Sequence, residues 1–231
     1  MMEKRPPRMA KRTHGCHSGR GTASTAAGVW MSIIYESRSH AIRSCLFHVQ
    51  NDVGVGRDEE DYHKALIMCF RQNEIPFVSK QPHPLMLFGE EAHRLFPDFS
   101  VWQSITLELK AVPRRLGAPE FVQLFDYLKC RGDSLGLLVN MGLDRVFIDR
   151  VVRHPEQTRL TESWRYWSGQ IDGKSREIGL AVRDVLREIF RQHETGYGTE
   201  VVSKLIHFGL RWGIAANFGK SHAEITGMRR R

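Results

Sequence analysis

The 231-residue sequence has only four cysteines, Cys16, Cys45, Cys69 and Cys130, far apart and with no CxxC pair among them. No secretory signal accompanies them, so a disulfide framework is excluded and reduced thiols are expected. His14, Cys16 and His17 form half of a zinc-like cluster, but no second half follows. Long apolar runs are missing too, which excludes a helical membrane span. Gly54-x-Gly56 lacks the strand context and the third glycine of a dinucleotide loop, and no Ser or Cys nucleophile is arranged with a histidine. Wholesale disorder is excluded from the other side, since 41% of residues are hydrophobic, 10% are aromatic and five are tryptophan. What remains is a soluble globular chain, expected in the cytoplasm, forming one ordinary domain with extensions or two small ones.

The formal charge of +8 suggests an anionic partner until it is mapped. Residues 1–44 carry eight Lys or Arg and two Asp or Glu, and Arg229, Arg230 and Arg231 close the chain. Between 45 and 228 stand 23 basic and 24 acidic residues, so the basicity belongs to the ends. Residues 1–38 read as a basic, disordered tail, with Met31 as a candidate alternative start.

Regular patterning begins near Ser39. Arg57 to Asn73 predicts a helix with Tyr62, Leu66, Cys69 and Phe70 on one side and acids at its start. Three strand-like runs follow, Phe77 to Phe88, Leu95 to Val101 and Ile105 to Val112. Phe121, Leu124, Phe125 and Leu128 then give the stripe of a core-facing helix that Gly132 stops. Leu135 to Met141 and Val146 to Val152 predict two more strands, so the order is α-β-β-β-α-β-β.

Beyond a linker over 154–173, a helix is expected from Lys174 to His193. Gly132, Gly136, Asn140, Gly142 and Ile148 recur 77 positions later as Gly209, Gly213, Asn217, Gly219 and Ile225. Residues 174–231 therefore read as a truncated, degenerate second copy of the 39–153 domain, made of helices and a strand pair. Such a fragment cannot bury its own faces, so it should pack on the first copy or on another chain, which opens the way to a homodimer.

Chemistry concentrates in the middle of the chain. Asp98 follows Pro97, and ten residues beyond it the run Glu108-Leu109-Lys110 begins. Alternation along a strand puts Glu108 and Lys110 on one face, and a hairpin at Trp102 to Ser104 would bring Asp98 beside them. Two converging carboxylates suit a hard divalent cation, and a lysine beside it can offset charge on a phosphate. The plainer reading is an exposed strand face with a cross-strand ion pair. Glu59 tilts toward the inward side of its helix, although Asp58 to Asp61 as a group would also complement the helix dipole.

Pro97-Asp98 followed by Glu108-Leu109-Lys110, within this element order, resembles the signature of the PD-(D/E)XK nuclease superfamily. Gly56-Arg57-Asp58-Glu59-Glu60-Asp61-Tyr62 is similar to the pattern that names the GxxExxY proteins, a bacterial branch. The resemblance covers about residues 41 to 152. It implies a restriction-endonuclease-like αβββαβ core, a mixed central sheet flanked by helices. It also implies Asp98, Glu108 and Glu59 as ligands of Mg²⁺ or Mn²⁺, with Lys110 as the catalytic lysine.

Gln123 and Tyr127 form a QxxxY pair similar to that of exonuclease branches; Gln123 would orient the lysine or a phosphate. Periodicity places both opposite the Phe121/Leu124/Leu128 stripe, either facing solvent or across a cleft from the site. Tyr127, Arg114, Arg115 and Lys129 are candidate nucleic-acid contacts, with solvated positions as the alternative for the basic residues. Trp164, Tyr166 and Trp167 beside Arg165 could stack bases or anchor the linker. The expected activity is metal-dependent hydrolysis of phosphodiester bonds, with DNA favoured over RNA. The alternative is an inactive nuclease-fold module that binds nucleic acid or a protein.

Overall fold

The structure, a computed structural model, describes residues 35–154, 158–163, 165 and 171–227, with side chains described as far as residue 213. The expected N-terminal tail, Met31, the His14/Cys16/His17 group and Trp164, Tyr166 and Trp167 lie outside the described residues.

Two helices form the first layer. In α1 (Glu36–Val53), Ile42, Cys45, Leu46 and Val49 are buried at i, i+3, i+4 and i+7, the spacing of one helical face. In α2 (Glu59–Gln72), Tyr62, Leu66, Cys69 and Phe70 are buried, while Glu59, Glu60 and Asp61 occupy the first turn. The bend between the two helices passes through Gly54 and Gly56, at φ 79° and 80°. Side chains other than hydrogen pay a steric penalty in that region.

The strands are β1 (Phe77–Ser79), β2 (His83–Leu87), β3 (Glu90–Leu95), β4 (Phe99–Val101) and β5 (Ile105–Lys110). After α3 (Ala118–Arg131) come β6 (Leu135–Asn140) and β7 (Phe147–Val152). Five strands pair in the order β1-β4-β5-β6-β7, and β2 and β3 form a separate hairpin. All pairings are antiparallel except β5–β6, where α3 supplies the crossover a parallel pair needs. The result is the mixed sheet flanked by helices that the sequence predicts.

Both faces of β5 are covered. Ile105, Leu107 and Leu109 pack into the core shared with α1 and α2, each burial worth roughly 1.5–3 kcal/mol. Thr106, Glu108 and Lys110 therefore face α3, whose Leu124 and Leu128 pack on Leu138 of β6. Close approach of α3 depends on Gly136, where an added Cβ would stand 2.9 Å from Leu124.

Four expectations change. Helix α1 lies upstream of the helix expected first. The run Phe77 to Phe88 is two strands, broken where Lys80 takes φ 48°, and β2 turns into β3 at Phe88 and Gly89. Phe125, expected in the core stripe, is 40% exposed because its side of α3 faces outward. The strand pair expected in the C-terminal copy is a helix. The expected 174–193 helix is present as α4 (Gly173–His193), and the chain continues as α5 (Thr199–Gly227). Val201, Leu205 and Gly209 of α5 are buried at intervals of four, a helical rather than an alternating period.

These helices bury their faces on the same chain. Val185 and Ile189 of α4 and Val201 and Leu205 of α5 join Leu85, Leu87, Leu95 and Tyr127 in one cluster. Gly209 lets α5 close on α4, since a Cβ there would meet Val185 at 2.5 Å. Asp126 of α3 accepts the Gly198 backbone N–H at 2.6 Å just ahead of α5. Among the described residues no helix is long and apolar enough to cross a membrane.

Candidate active site

The β4–β5 turn is tight. Trp102 and Gln103 both take positive φ, 49° and 54°, and the register Val101↔Ile105 and Phe99↔Leu107 follows. That register sets Asp98, just ahead of β4, against Glu108 and Leu109. Asp98 Oδ2 accepts the Leu109 N–H at 2.8 Å, and Glu108 Oε2 lies 3.4 Å from the Asp98 nitrogen. Lys110 Nζ donates to Glu108 Oε1 at 2.6 Å. Asp98 and Glu108 are 8% and 2% exposed, so the pair is not the solvated strand face of the plainer reading.

Burial costs these acids dearly. The Glu108 carboxyl is pushed up to about 8, by burial first and by the charge of Asp98 next, against the opposing pull of Lys110. Glu59, half-buried at the first position of α2, is raised as well, again by burial first, while Lys110 draws it down and Asp98 pushes it up. Burial pulls the Lys110 ammonium down, but Glu108, Glu59 and Asp98 outweigh it and hold the group above its ordinary value. Asp98 thus acts on both Glu108 and Glu59, and all three carboxylates act on the part-buried Lys110 ammonium. Lys80 stands nearby, 2.7 Å from Glu60 and within electrostatic reach of Asp98 and Glu59, and no signal in the sequence singled it out.

A divalent cation suits this donor set. Among the described residues no three His, Cys, Asp or Glu side chains close into a cage around an ion. An open site is what Mg²⁺ uses, with one or two carboxylates and the remaining positions left to water and substrate oxygens. Asp98 and Glu108 would hold the ion, with Glu59 behind them, and its charge would relieve the excess of acid.

The GxxExxY run has a mechanical explanation here. Gly56 turns the chain, Glu59 opens α2, and the buried Tyr62 hydroxyl donates to the Gly54 carbonyl at 2.7 Å, tying the helix start to the bend. The segment after Lys110 is fixed by Asn140, fully buried in β6 opposite Lys110. Its amide accepts the N–H groups of Val112 (3.1 Å) and Gly142 (3.0 Å) and donates to the carbonyls of Val112 (3.1 Å) and Arg114 (2.7 Å). Asn140 drew notice in the sequence only through the repeat.

A cleft of about 740 Å³ opens beside Lys110, between α3, the end of β3 and the start of α5. Gln123 and Tyr127 both line it, which settles their placement in favour of the cleft. Gln123 Nε2 donates to the Tyr127 hydroxyl at 2.8 Å. The other basic candidates are not gathered here. Arg114 pairs with Glu120 at 2.6 Å, Arg115 lies over the Phe147 ring, and Lys129 lines a different cavity.

A family model, the PD-(D/E)XK nuclease superfamily, matches residues 36–151, half of the chain. The chain belongs to the PD-(D/E)XK nuclease superfamily. The match spans α1 through β7, and with it Glu59, Asp98, Glu108, Lys110, Gln123 and Tyr127. Helices α4 and α5 lie beyond it. No curated protein and no solved structure matches the chain significantly.

Proposed function

We propose that this superfamily member is a divalent-metal-dependent nuclease hydrolysing phosphodiester bonds in nucleic acid, with DNA favoured over RNA. The observation that carries the reading is the buried Asp98/Glu108 pair with Lys110 2.6 Å from Glu108, at the mouth of a cleft. Such an arrangement is costly as scaffolding and useful beside a phosphate.

A bound Mg²⁺ or Mn²⁺ would polarise the scissile phosphate and lower the pKa of attacking water. The chain's own groups supply the rest. Lys110, held above its ordinary range, stays a cation at neutral pH, so it donates hydrogen bonds and charge to the phosphate rather than accepting a proton. Tyr127 is raised by burial and by the charge of Glu108, so it is a neutral donor. Because its oxygen already accepts from Gln123, its own hydrogen is available within the cleft. Glu59 is raised in the same direction, by burial first and by the charge of Asp98, beside the acid pair. The turn at Gly56 and the Tyr62 anchor support a place among the GxxExxY proteins.

The test is cleavage of plasmid and single-stranded DNA with Mg²⁺ or Mn²⁺. Wild-type protein should cleave and Glu108→Ala and Lys110→Ala should not, with circular dichroism unchanged. Equal cleavage by the variants, or none by wild type, overturns the reading.

A further inference from the structure

A second cavity, of about 630 Å³, lies where α3, the end of β7 and the turn between α4 and α5 meet. Lys129 and Arg153 line it, and both are half-buried. They stand 24 positions apart in sequence, and only the fold brings them together. Lys129 Nζ lies 5.1 Å from the centre of the Tyr197 ring, which holds the lysine stem against the wall. The other two basic side chains here are engaged: Arg191 pairs with Glu188 at 2.6 Å, and His193 Nε2 meets the Met86 carbonyl at 2.6 Å. Lys129 and Arg153 are different. Among the described residues neither has a carboxylate within 4.0 Å, and the nearest influence of opposite sign on Lys129 is Glu194.

Glu194 lines the same cavity but forms no ion pair with either cation, so their repulsion is only partly offset, and the effect is visible at Lys129. Burial first, and the charge of Arg153 next, pull its ammonium below the usual range, with Glu194 acting the other way. Removing that repulsion needs an anion between them. Lysine and arginine together offer a compact point charge and a planar fork, the pair of donors that phosphate oxygens accept. The space exceeds what a bare phosphate fills, and Tyr197 provides an aromatic edge beside it.

We propose that this cavity binds a phosphate group, borne by a nucleic-acid strand or by a small phosphorylated molecule. It is built jointly by the nuclease core and the C-terminal helices, so those helices complete a second anion contact on the molecule.

The test uses the full chain in EDTA, so a protein that fails to cleave can still pass it. Melting temperature is followed against inorganic phosphate, with chloride at matched ionic strength as control, for wild type and for the Lys129→Gln/Arg153→Gln double variant. Phosphate should raise the wild-type midpoint and leave the double variant where chloride puts it. In chloride alone the double variant should melt no lower than wild type, because a repulsion has been removed. The source is read by anisotropy. An oligonucleotide that loses about tenfold in affinity in the double variant, with a salt slope smaller by about 2, assigns a strand. Adenosine monophosphate that outcompetes inorganic phosphate, with oligonucleotide binding unchanged, assigns a small molecule. A phosphate response equal in wild type and double variant, or absent from wild type, overturns the proposal.

Discussion

The α3-facing side of β5 carries two buried acid clusters two residues apart, and they are built on opposite plans. At Thr106 the acid is Asp133. It accepts from the Thr106 hydroxyl and from Arg131 Nε at 2.7 and 2.8 Å, and the rest of the Arg131 fork reaches Ser100 and His83. Every polar group there has a partner, and one guanidinium answers one carboxylate. At Glu108 the Lys110 ammonium is shared among Glu108, Asp98 and Glu59, and Lys80, which also acts on Asp98 and Glu59, is itself paired with Glu60. The first cluster is a closed staple joining β4, β5 and α3. The second is left short of positive charge, and that shortage rather than burial marks it as a site.

The comparison breaks in a definite order of size. Lys110→Met should lower cleavage by at least about 10³-fold in single-turnover assays, roughly 4 kcal/mol of transition-state stabilisation, with little change in melting temperature. Arg131→Met should behave the other way. It strands Asp133 as a buried, unpaired charge, so urea denaturation should show a loss of about 3–5 kcal/mol. Cleavage per folded molecule should persist. If Arg131→Met removed activity and left stability intact, the division into staple and site would be wrong.

Glu108→Gln sharpens the contrast through pH. The unfolded carboxyl titrates near its ordinary value of about 4.3, whereas the folded one is raised to about 8. The folded state therefore keeps a proton the unfolded chain has lost, and the stability this gives is whole below about pH 4.3 and erodes toward pH 8. In EDTA the glutamine variant should lack that slope and exceed wild type by about 2 kcal/mol at pH 8, measured by urea denaturation from pH 5 to 8.5. Adding Mg²⁺ should stabilise wild type and leave the variant nearly unchanged. Smallest of all, Gln123→Ala should cost about tenfold in kcat while KM stays close to wild type, since the amide acts by holding the Tyr127 hydroxyl in place.

Much of this was legible in the residues because strand alternation and turn spacing are local. Asp98, Glu108 and Lys110 could be placed together from one tight turn and a period of two. Helix α1 was missed: Ile42, Cys45, Leu46 and Val49 carry the helical spacing, but polar residues between them mask the stripe. The run Phe77 to Phe88 reads as one strand although the polar stretch Ser79-Lys80-Gln81 and two prolines interrupt it, and the β2–β3 turn at Phe88 and Gly89 falls at its very end. Arg131 and Asp133 lie two apart in sequence, yet their partners are 31, 48 and 27 residues away, at Ser100, His83 and Thr106. Lys129 and Arg153 are likewise joined only by tertiary structure. The C-terminal segment misled for another reason: glycines at matched intervals suggested a copied strand pair, whereas Gly209 serves close packing of two helices.

The bond from Tyr62 to Gly54 gives the short motif the character of a lever with a fixed fulcrum. The tyrosine sets the rotation of α2 about its own axis, and Glu59 rides three residues away on the same rigid arm. One residue inserted between them would swing the carboxylate by about 100° around the helix and withdraw it from Asp98 and Lys110. The interval between the two residues, as much as their chemistry, is therefore what the site depends on.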